Sequence, residues 1–391
     1  MPLHSALSRT EFVALMAMLT ATVAFSIDAM LPALPQIAAD LSADAPNRAQ
    51  LVITSFVLGL GLGTFLVGPL SDRFGRKPVI LVGAGVYIAA GGAAMFAPSL
   101  DILLAARILQ GLGASAPRIV ALAIVRDQAS GREMARLLSF IMLVFSLVPA
   151  IAPTIGAGLL LIGPWQTIFA AFVVFSILTV GWFALRQPET LVTPRPLRVA
   201  PLWAALKQML SMAVVRDAIL VQTLCYAMLF AALSSTQYVF AQTFDQGAAF
   251  PLWFGLIAIL AASASILNAR IVVRLGMALL VRRMLSVQIG LSMLMIAVWL
   301  AVPTLAFPVY VIWTTSIFFM AGMTLGNLNA IGMEPLPHIA GFAASLMGGL
   351  ATIGSVMIAA PIGLAFDGTP LPVAIGILLC AAAARVLSRR F

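Results

Sequence analysis

What limits this chain most is its supply of apolar runs long enough to cross a bilayer. A helix needs about 20 apolar residues to span the hydrocarbon core. Runs of that length lie at 11–35, 49–71, 78–97, 100–126, 134–161 and 166–185, then at 216–243, 250–273, 283–301, 305–333, 340–365 and 370–387. Connections as short as Pro98-Ser99 and Gly163-Pro164 leave no room for extra domains between neighbours and force them antiparallel. The expectation is an all-α membrane protein of twelve transmembrane helices.

Composition agrees. Of 391 residues, 62% are hydrophobic and 9% charged, whereas a soluble domain carries about 25% charge. With 22 basic and 13 acidic side chains, a soluble surface could not be solvated. The net charge of +9 would suggest nucleic acid in a soluble chain. In a membrane chain it reads as topology and contact with anionic headgroups, so no nucleic acid is expected. Cys225 and Cys380 both lie inside apolar runs and report no disulfide framework.

Placing the N-terminus inside puts every basic residue except Arg48, Arg107 and Arg118 on inner segments or inner helix ends. Such a bias marks the cytoplasmic face and predicts both termini there. The first apolar run exceeds a signal-peptide core and lacks a clean cleavage site, so it is expected to remain as the first span. One sizeable linker, 186–215, separates an N-terminal six-helix half, 1–185, from a C-terminal half, 216–391. Pro188, Pro194, Pro196 and Pro201 keep the start of the linker extended. Beyond it, Leu202, Leu206, Met209, Leu210 and Ala213 recur at helical spacing beside Trp203 and Lys207, which predicts an amphipathic helix on the membrane surface.

The two halves read as distant copies. Arg73-Phe74-Gly75 after the second span is echoed by Arg274-Leu275-Gly276 after the eighth, and Ala152-Pro153 in the fifth by Ala360-Pro361 in the eleventh. Parallel repeats of this kind are a transporter design with the substrate site at the repeat interface. The second copy carries Val273 where the first carries Asp72.

Charge inside a span costs roughly 2.5–3.5 kcal/mol on insertion scales. Asp28 is the acid set well inside a span; it precedes Pro35 near the outer end of the first, and Arg107 follows Ser99 near the outer start of the fourth. Both then sit roughly 10–12 Å below the outer surface, so they would meet if spans one and four adjoin. The pair reads either as a proton-coupling site or as an ion pair that only locks two helices. Arg107 and Arg118 are separated by a residual rotation of only about 20° and an axial distance of about 16 Å. With Gly111 and Ala114 along that stripe and Gln110 at its edge, it reads as the wall of an aqueous cavity. Arg118 either attracts an anionic or polar substrate or snorkels beside Asp127. In the second half, Tyr238 and Asn327 are the substrate-contact candidates, with Tyr226, Gln237, Asn329, Trp313 and Phe318 as further polar or aromatic side chains; ordinary helix contact is the plainer alternative.

Close-packing surfaces recur. Pro149 and Pro153 each remove a backbone donor and would kink the fifth span, next to Gly156 and Gly158. Gly59 and Gly63 sit four apart in the second span; Ser345, Gly349, Ala359 and Ala360 line the eleventh.

Gly68-Pro69-Leu70-Ser71-Asp72-Arg73-Phe74-Gly75-Arg76-Lys77-Pro78 resembles the signature loop after the second helix of major facilitator superfamily transporters. Leu104 to Ser115, Leu-Ala-Ala-Arg-Ile-Leu-Gln-Gly-Leu-Gly-Ala-Ser, resembles the fourth-helix motif whose arginine and glutamine are tied to proton transfer in proton-coupled members, which carries over to Arg107, Gln110 and Gly111. The run from Ser26 to Pro35 resembles the first-helix signature of the bicyclomycin/chloramphenicol resistance (Bcr/CflA) branch. Pro149 to Gly156 is similar to the fifth-helix antiporter motif but departs from its usual Gly-Pro core. Glu334-Pro335 and Ala340 to Ser345 resemble the same branch, and the likeness covers essentially the whole chain. It implies two pseudo-symmetric six-helix halves, a bacterial inner-membrane location, a monomer, and Pro149, Pro153 and Gly156 as an antiporter motif. Some relatives have a second acid earlier in the first helix, but this chain has Thr20 there and no acid between Glu11 and Asp28.

No enzyme constellation, metal-spaced cluster or phosphate loop is present in the sequence, and His4 and His338 fall in a tail and a loop. The expected function is export of small amphipathic compounds in exchange for protons, with no cofactor beyond the proton gradient and Asp28 as proton carrier beside Arg107. The cytoplasmic gate would be built from Gly68, Asp72, Arg73, Gly75, Arg76 and Asp127. Alternatives are an exporter of a polar or anionic metabolite, a proton-coupled importer, and a membrane sensor that transports nothing.

Overall fold

The computed structural model describes residues 7–194, 206–336 and 340–391. His4, His338 and the linker residues Arg195, Pro196, Arg198, Pro201, Leu202 and Trp203 lie outside the described residues. Among the described residues there is no strand, and twelve spans are long and apolar enough to cross a membrane. In order they are Arg9–Leu41, Pro46–Phe74, Arg76–Met95, Leu100–Gln128, Gly131–Ile162, Gln166–Arg186, Ala213–Thr243, Phe250–Leu275, Met277–Ala301, Pro303–Met333, Phe342–Leu364 and Leu371–Arg390.

The chain divides into two compact units, Met1–Ala43 with Ser55–Arg198 and Asp44–Thr54 with Val199–Phe391. The division at the linker does not account for residues 44–54. They belong to the second unit because the Asn47 side-chain amide donates to the carbonyls of Leu364 and Phe366, at 3.2 and 2.5 Å. Tyr238 donates to the Pro46 carbonyl at 3.2 Å, and Ser235 to Gln50 Oε1 at 3.0 Å.

In the first unit, the first span is not one continuous helix over 11–35. Ser8 caps a helix at Arg9–Asp28, and a 3₁₀ turn at Leu31–Ala33 then leads into Leu34–Leu41. Pro32 and Pro35 explain the break, since neither supplies a backbone donor. Asp28 is thus the last residue of the first helix. The basic end of the unit is held by an apolar cluster in which Leu15, Met16 and Leu19 pack with Ile80, Val120, Ile124 and Phe183. Toward the other end, Phe25 packs edge-on to Phe172, and Trp165 donates to Asp40 Oδ2 at 2.9 Å. The fifth span runs unbroken through Pro149 and Pro153.

In the second unit, the ninth span starts at Met277, earlier than the apolar run at 283. Arg282 and Arg283 lie within its first two turns, where a long basic side chain can extend its head toward polar surroundings. The linker helix is helical over 206–211 but ends there: Met212 is extended, and Ala213 already opens the seventh span. That span closes in a π turn, Val239–Thr243, whose Phe240 packs against Phe250, Phe307 and Tyr310.

The repeat is visible in the backbone. Gly75 between spans two and three has φ 102° and ψ 154°, and Gly276 between spans eight and nine has φ 80° and ψ 151°. Both bends use a conformation that residues with a Cβ rarely adopt, at the positions the Arg-x-Gly echo marks.

Candidate functional site

Two polar constellations form inside the first unit. The first is organised by Arg107, which is fully buried on the fourth span. Its guanidinium lies 4.4 Å from the centroid of the Phe56 ring and 5.7 Å from that of Phe169. One arm donates to Gln110 Oε1 at 2.7 Å, and another to the Ser26 main-chain carbonyl at 3.0 Å. The Ser26 hydroxyl donates to the Thr22 carbonyl at 2.6 Å and pairs with the Tyr87 hydroxyl at 2.6 Å. Spans one, two, three, four and six therefore converge on one cation.

Asp28 is buried nearby on the first span, but the expected Asp28–Arg107 ion pair is not formed. Adjacent helices alone are not enough: Arg107 is engaged by the Ser26 carbonyl two residues earlier, and among the described residues no cation or donor pairs with the Asp28 carboxyl. The fifth-span motif closes on the same place. A Cβ on Gly156 would overlap the Ala29 carbonyl oxygen, so the bare glycine lets spans five and one touch beside Asp28. Pro153 is buried, while Pro149 is half-buried.

The stripe read as an open cavity wall needs correction. Gly111 is filled by the second span, since a Cβ there would overlap the Phe56 carbonyl oxygen, and Ala114 is fully buried. These positions serve helix contact. Arg118 is half-buried and, among the described residues, makes no ion pair. Asp127, the acid considered for it, pairs with Arg76 and Thr190. In the second unit, Tyr238 is tied to Pro46, and Asn327 donates to Asn268 Oδ1 at 2.9 Å and to the Met323 carbonyl at 2.8 Å.

The second constellation is the signature turn. Arg76 Nη1 donates to Asp72 Oδ1 at 2.5 Å and to Ser71 Oγ at 2.8 Å, while its Nε donates to Asp127 Oδ2 at 2.9 Å. Asp72, Arg76 and Asp127 thus meet as the sequence suggested; Gly68 lies one turn earlier in the same helix and Arg73 is exposed. The sequence reading missed the fourth partner, Glu189. Its carboxylate accepts the backbone N–H groups of Arg76 at 3.0 Å, Lys77 at 2.9 Å, Thr190 at 2.8 Å and Leu191 at 2.8 Å. Gly75 precedes the third span and has no side chain to cap it, so a carboxylate from beyond the sixth span satisfies the open N–H groups and the positive helix end. Burial alone would raise the Glu189 carboxyl, but these hydrogen bonds outweigh it and hold it below the usual carboxylate range. Thr190 adds a 3.0 Å bond to Asp127 Oδ2. A lone acid in the basic stretch after span six was the available signal.

Comparison with known proteins fits this geometry. The Major Facilitator Superfamily profile matches residues 16–359. The MFS-type transporter YdgK of Bacillus subtilis is 31% identical over 353 residues, covering 88% of this chain and 86% of that protein. The bicyclomycin resistance protein homolog of Haemophilus influenzae is 28% identical over 85% of this chain and 84% of its own. The multidrug resistance protein MdtL of Escherichia coli is 38% identical over 41% of each. Among solved structures, a D-xylose-proton symporter superposes with a TM-score of 0.76 at 15% identity, over 96% of this chain and 97% of that one; at that identity the likeness concerns the fold. The chain is therefore a multi-pass membrane transporter of the major facilitator superfamily, with relatives named for bicyclomycin and multidrug resistance.

Proposed function

We propose that this transporter exports small amphipathic compounds, drugs and antibiotics among them, in exchange for protons. Asp28 carries the proton, and alternating access moves the cargo. The observation that carries the reading is Asp28 itself, a buried carboxyl at a helix break, without a cation, packed beside the Gly156 contact. Burying an ionised carboxylate without a partner is expensive. A carboxyl whose surroundings open and close can therefore exchange a proton with each side in turn. Arg107 fixes the first-span backbone two residues away, and Gln110 orients the guanidinium. The Arg76 cluster, strapped by Glu189, acts as the gate at the opposite end of the unit. An inward proton gains about 2.3 kcal/mol per 100 mV, enough for a concentration gradient of about fiftyfold at that potential. The basic bias of one face supports a bacterial inner-membrane protein with both termini in the cytoplasm, working as a monomer with the proton gradient as its energy source.

The test is purified Asp28→Asn in proteoliposomes under an imposed pH gradient, followed with a panel of amphipathic dyes and antibiotics. The variant is expected to bind compounds but to lose gradient-driven export. Gradient-driven export at the wild-type rate would falsify the assignment. A second reading, export of a polar or anionic metabolite, is favoured by Arg118, half-buried and without an ion-pair partner among the described residues. It predicts that anionic compounds compete for transport and that Arg118→Gln removes this competition.

A further inference from the structure

The signature turn and the strap after the sixth span enclose an open cavity of about 440 Å³, lined by Arg73, Phe74, Lys77, Leu81, Glu189 and Leu191 among others. That volume falls within the roughly 300–1,000 Å³ of small-molecule sites. We propose that it is a binding site for an anionic phospholipid, with the headgroup phosphate on Arg73 and Lys77 and an acyl chain along Phe74, Leu81 and Val82.

The chemistry of the lining argues for this occupant. The acids around the cavity are already committed: Asp72 and Asp127 to Arg76, and Glu189 to four backbone N–H groups. Among the described residues Arg73 is exposed and without an ion pair. Lys77 Nζ uses one hydrogen on the Ala184 carbonyl at 2.6 Å, leaving two for an anion. Positive charge is therefore left over at the cavity mouth. The remaining wall is largely apolar, with Phe74 61% exposed, and beyond the cavity the third span continues with Val82, 69% exposed. Cations at the end of a membrane span, continuing into an exposed apolar strip along that span, match a lipid and not a water-soluble anion. Basic pockets between helices at the cytoplasmic face bind anionic headgroups in this way.

The site is independent of what the transporter carries, and its test reads lipid retention alone. The full-length protein is placed in nanodiscs of equal parts dioleoylphosphatidylglycerol and dioleoylphosphatidylcholine, and retained lipids are counted by native mass spectrometry. Wild type is expected to keep phosphatidylglycerol preferentially. Each of Arg73→Gln and Lys77→Gln should weaken that retention about fivefold, and Arg73→Glu should weaken it further, with phosphatidylcholine unchanged. Phe74→Ser keeps every charge and should also reduce retention, so the test stands if a charge variant does not fold. Equal retention of the two lipids by wild type, or unchanged preference in Arg73→Glu, overturns the proposal. Full displacement by free glycerol phosphate overturns it too, because the site would then read phosphate without the chain.

Discussion

Arg107 donates to the Ser26 main-chain carbonyl at 3.0 Å, two residues short of the Asp28 carboxyl. The basic group is thereby anchored to the backbone of the helix that carries the acid. On the proposed mechanism, a proton taken up at Asp28 would have no salt bridge to break. A displacement of the first span would carry the carbonyl on which Arg107 rests and the Ser26 hydroxyl that pairs with Tyr87.

That arrangement separates arginine from lysine. The planar fork reaches Gln110 and Ser26 at once while stacking on Phe56, which a lysine point charge cannot reproduce. Arg107→Lys is expected to keep the fold and lose at least tenfold in transport rate. Arg107→Ala orphans two buried acceptors, each worth about 1–3 kcal/mol, and should lower the melting temperature as well. Melting and proteoliposome flux measured side by side check both.

Gly156 gives a steric test beside the acid. Its added Cβ would overlap the Ala29 carbonyl, so Gly156→Ala must push spans five and one apart. Overpacking of this kind costs about 1–3 kcal/mol. Transport should fall more than stability does, since the displaced contact adjoins Asp28. Gly158→Ala has open space around its Cβ and serves as the neutral control.

The two bend glycines should differ. Gly75→Ala meets backbone strain of about 1–3 kcal/mol and also sets a Cβ 2.6 Å from Glu189 Oε2. Gly276→Ala suffers the strain alone, because nothing lies within 4 Å of its added Cβ. Thermal melting of the pair should place the Gly75 variant clearly lower.

Glu189 predicts a pH signature. Its carboxyl lies below the ordinary range in the folded chain, so its contribution is present above the unfolded value of about 4.3. It is lost as pH falls through the lower folded value. Glu189→Ala removes the cap at a cost of about 1 kcal/mol near neutral pH. The gap between the wild-type and variant melting curves should close in acid. A gap that stays constant to the lowest accessible pH would disprove the capping role.

Much of this was legible in the sequence because hydropathy and proline spacing act locally. The twelve spans and the Asp72–Arg76 contact, four residues apart, follow from residues counted along the chain. The partner of Arg107 was not legible: a main-chain carbonyl has no side-chain identity, so pairing charge with charge pointed to Asp28. The open stripe failed for a related reason. Gly111 marks either a void or a neighbour's close approach, and only the position of Phe56 decides between them. Glu189 sits far along the chain from Arg76 and recognises N–H groups that every residue but proline carries, so no motif announces it. Residues 44–54 joined the second unit through the Pro46, Leu364 and Phe366 carbonyls, which are equally anonymous.

The Glu189 cap bears on how the polypeptide can be divided for engineering. The strap up to Leu191 is a structural part of the first unit, so a gene split placed after the sixth span at residue 187 would strip the third span of its cap. A split placed within 195–205 leaves that contact on the N-terminal fragment. Co-expressed halves cut there should reassemble into a transporter with the melting temperature of the uncut chain, whereas halves cut at 187 should melt lower.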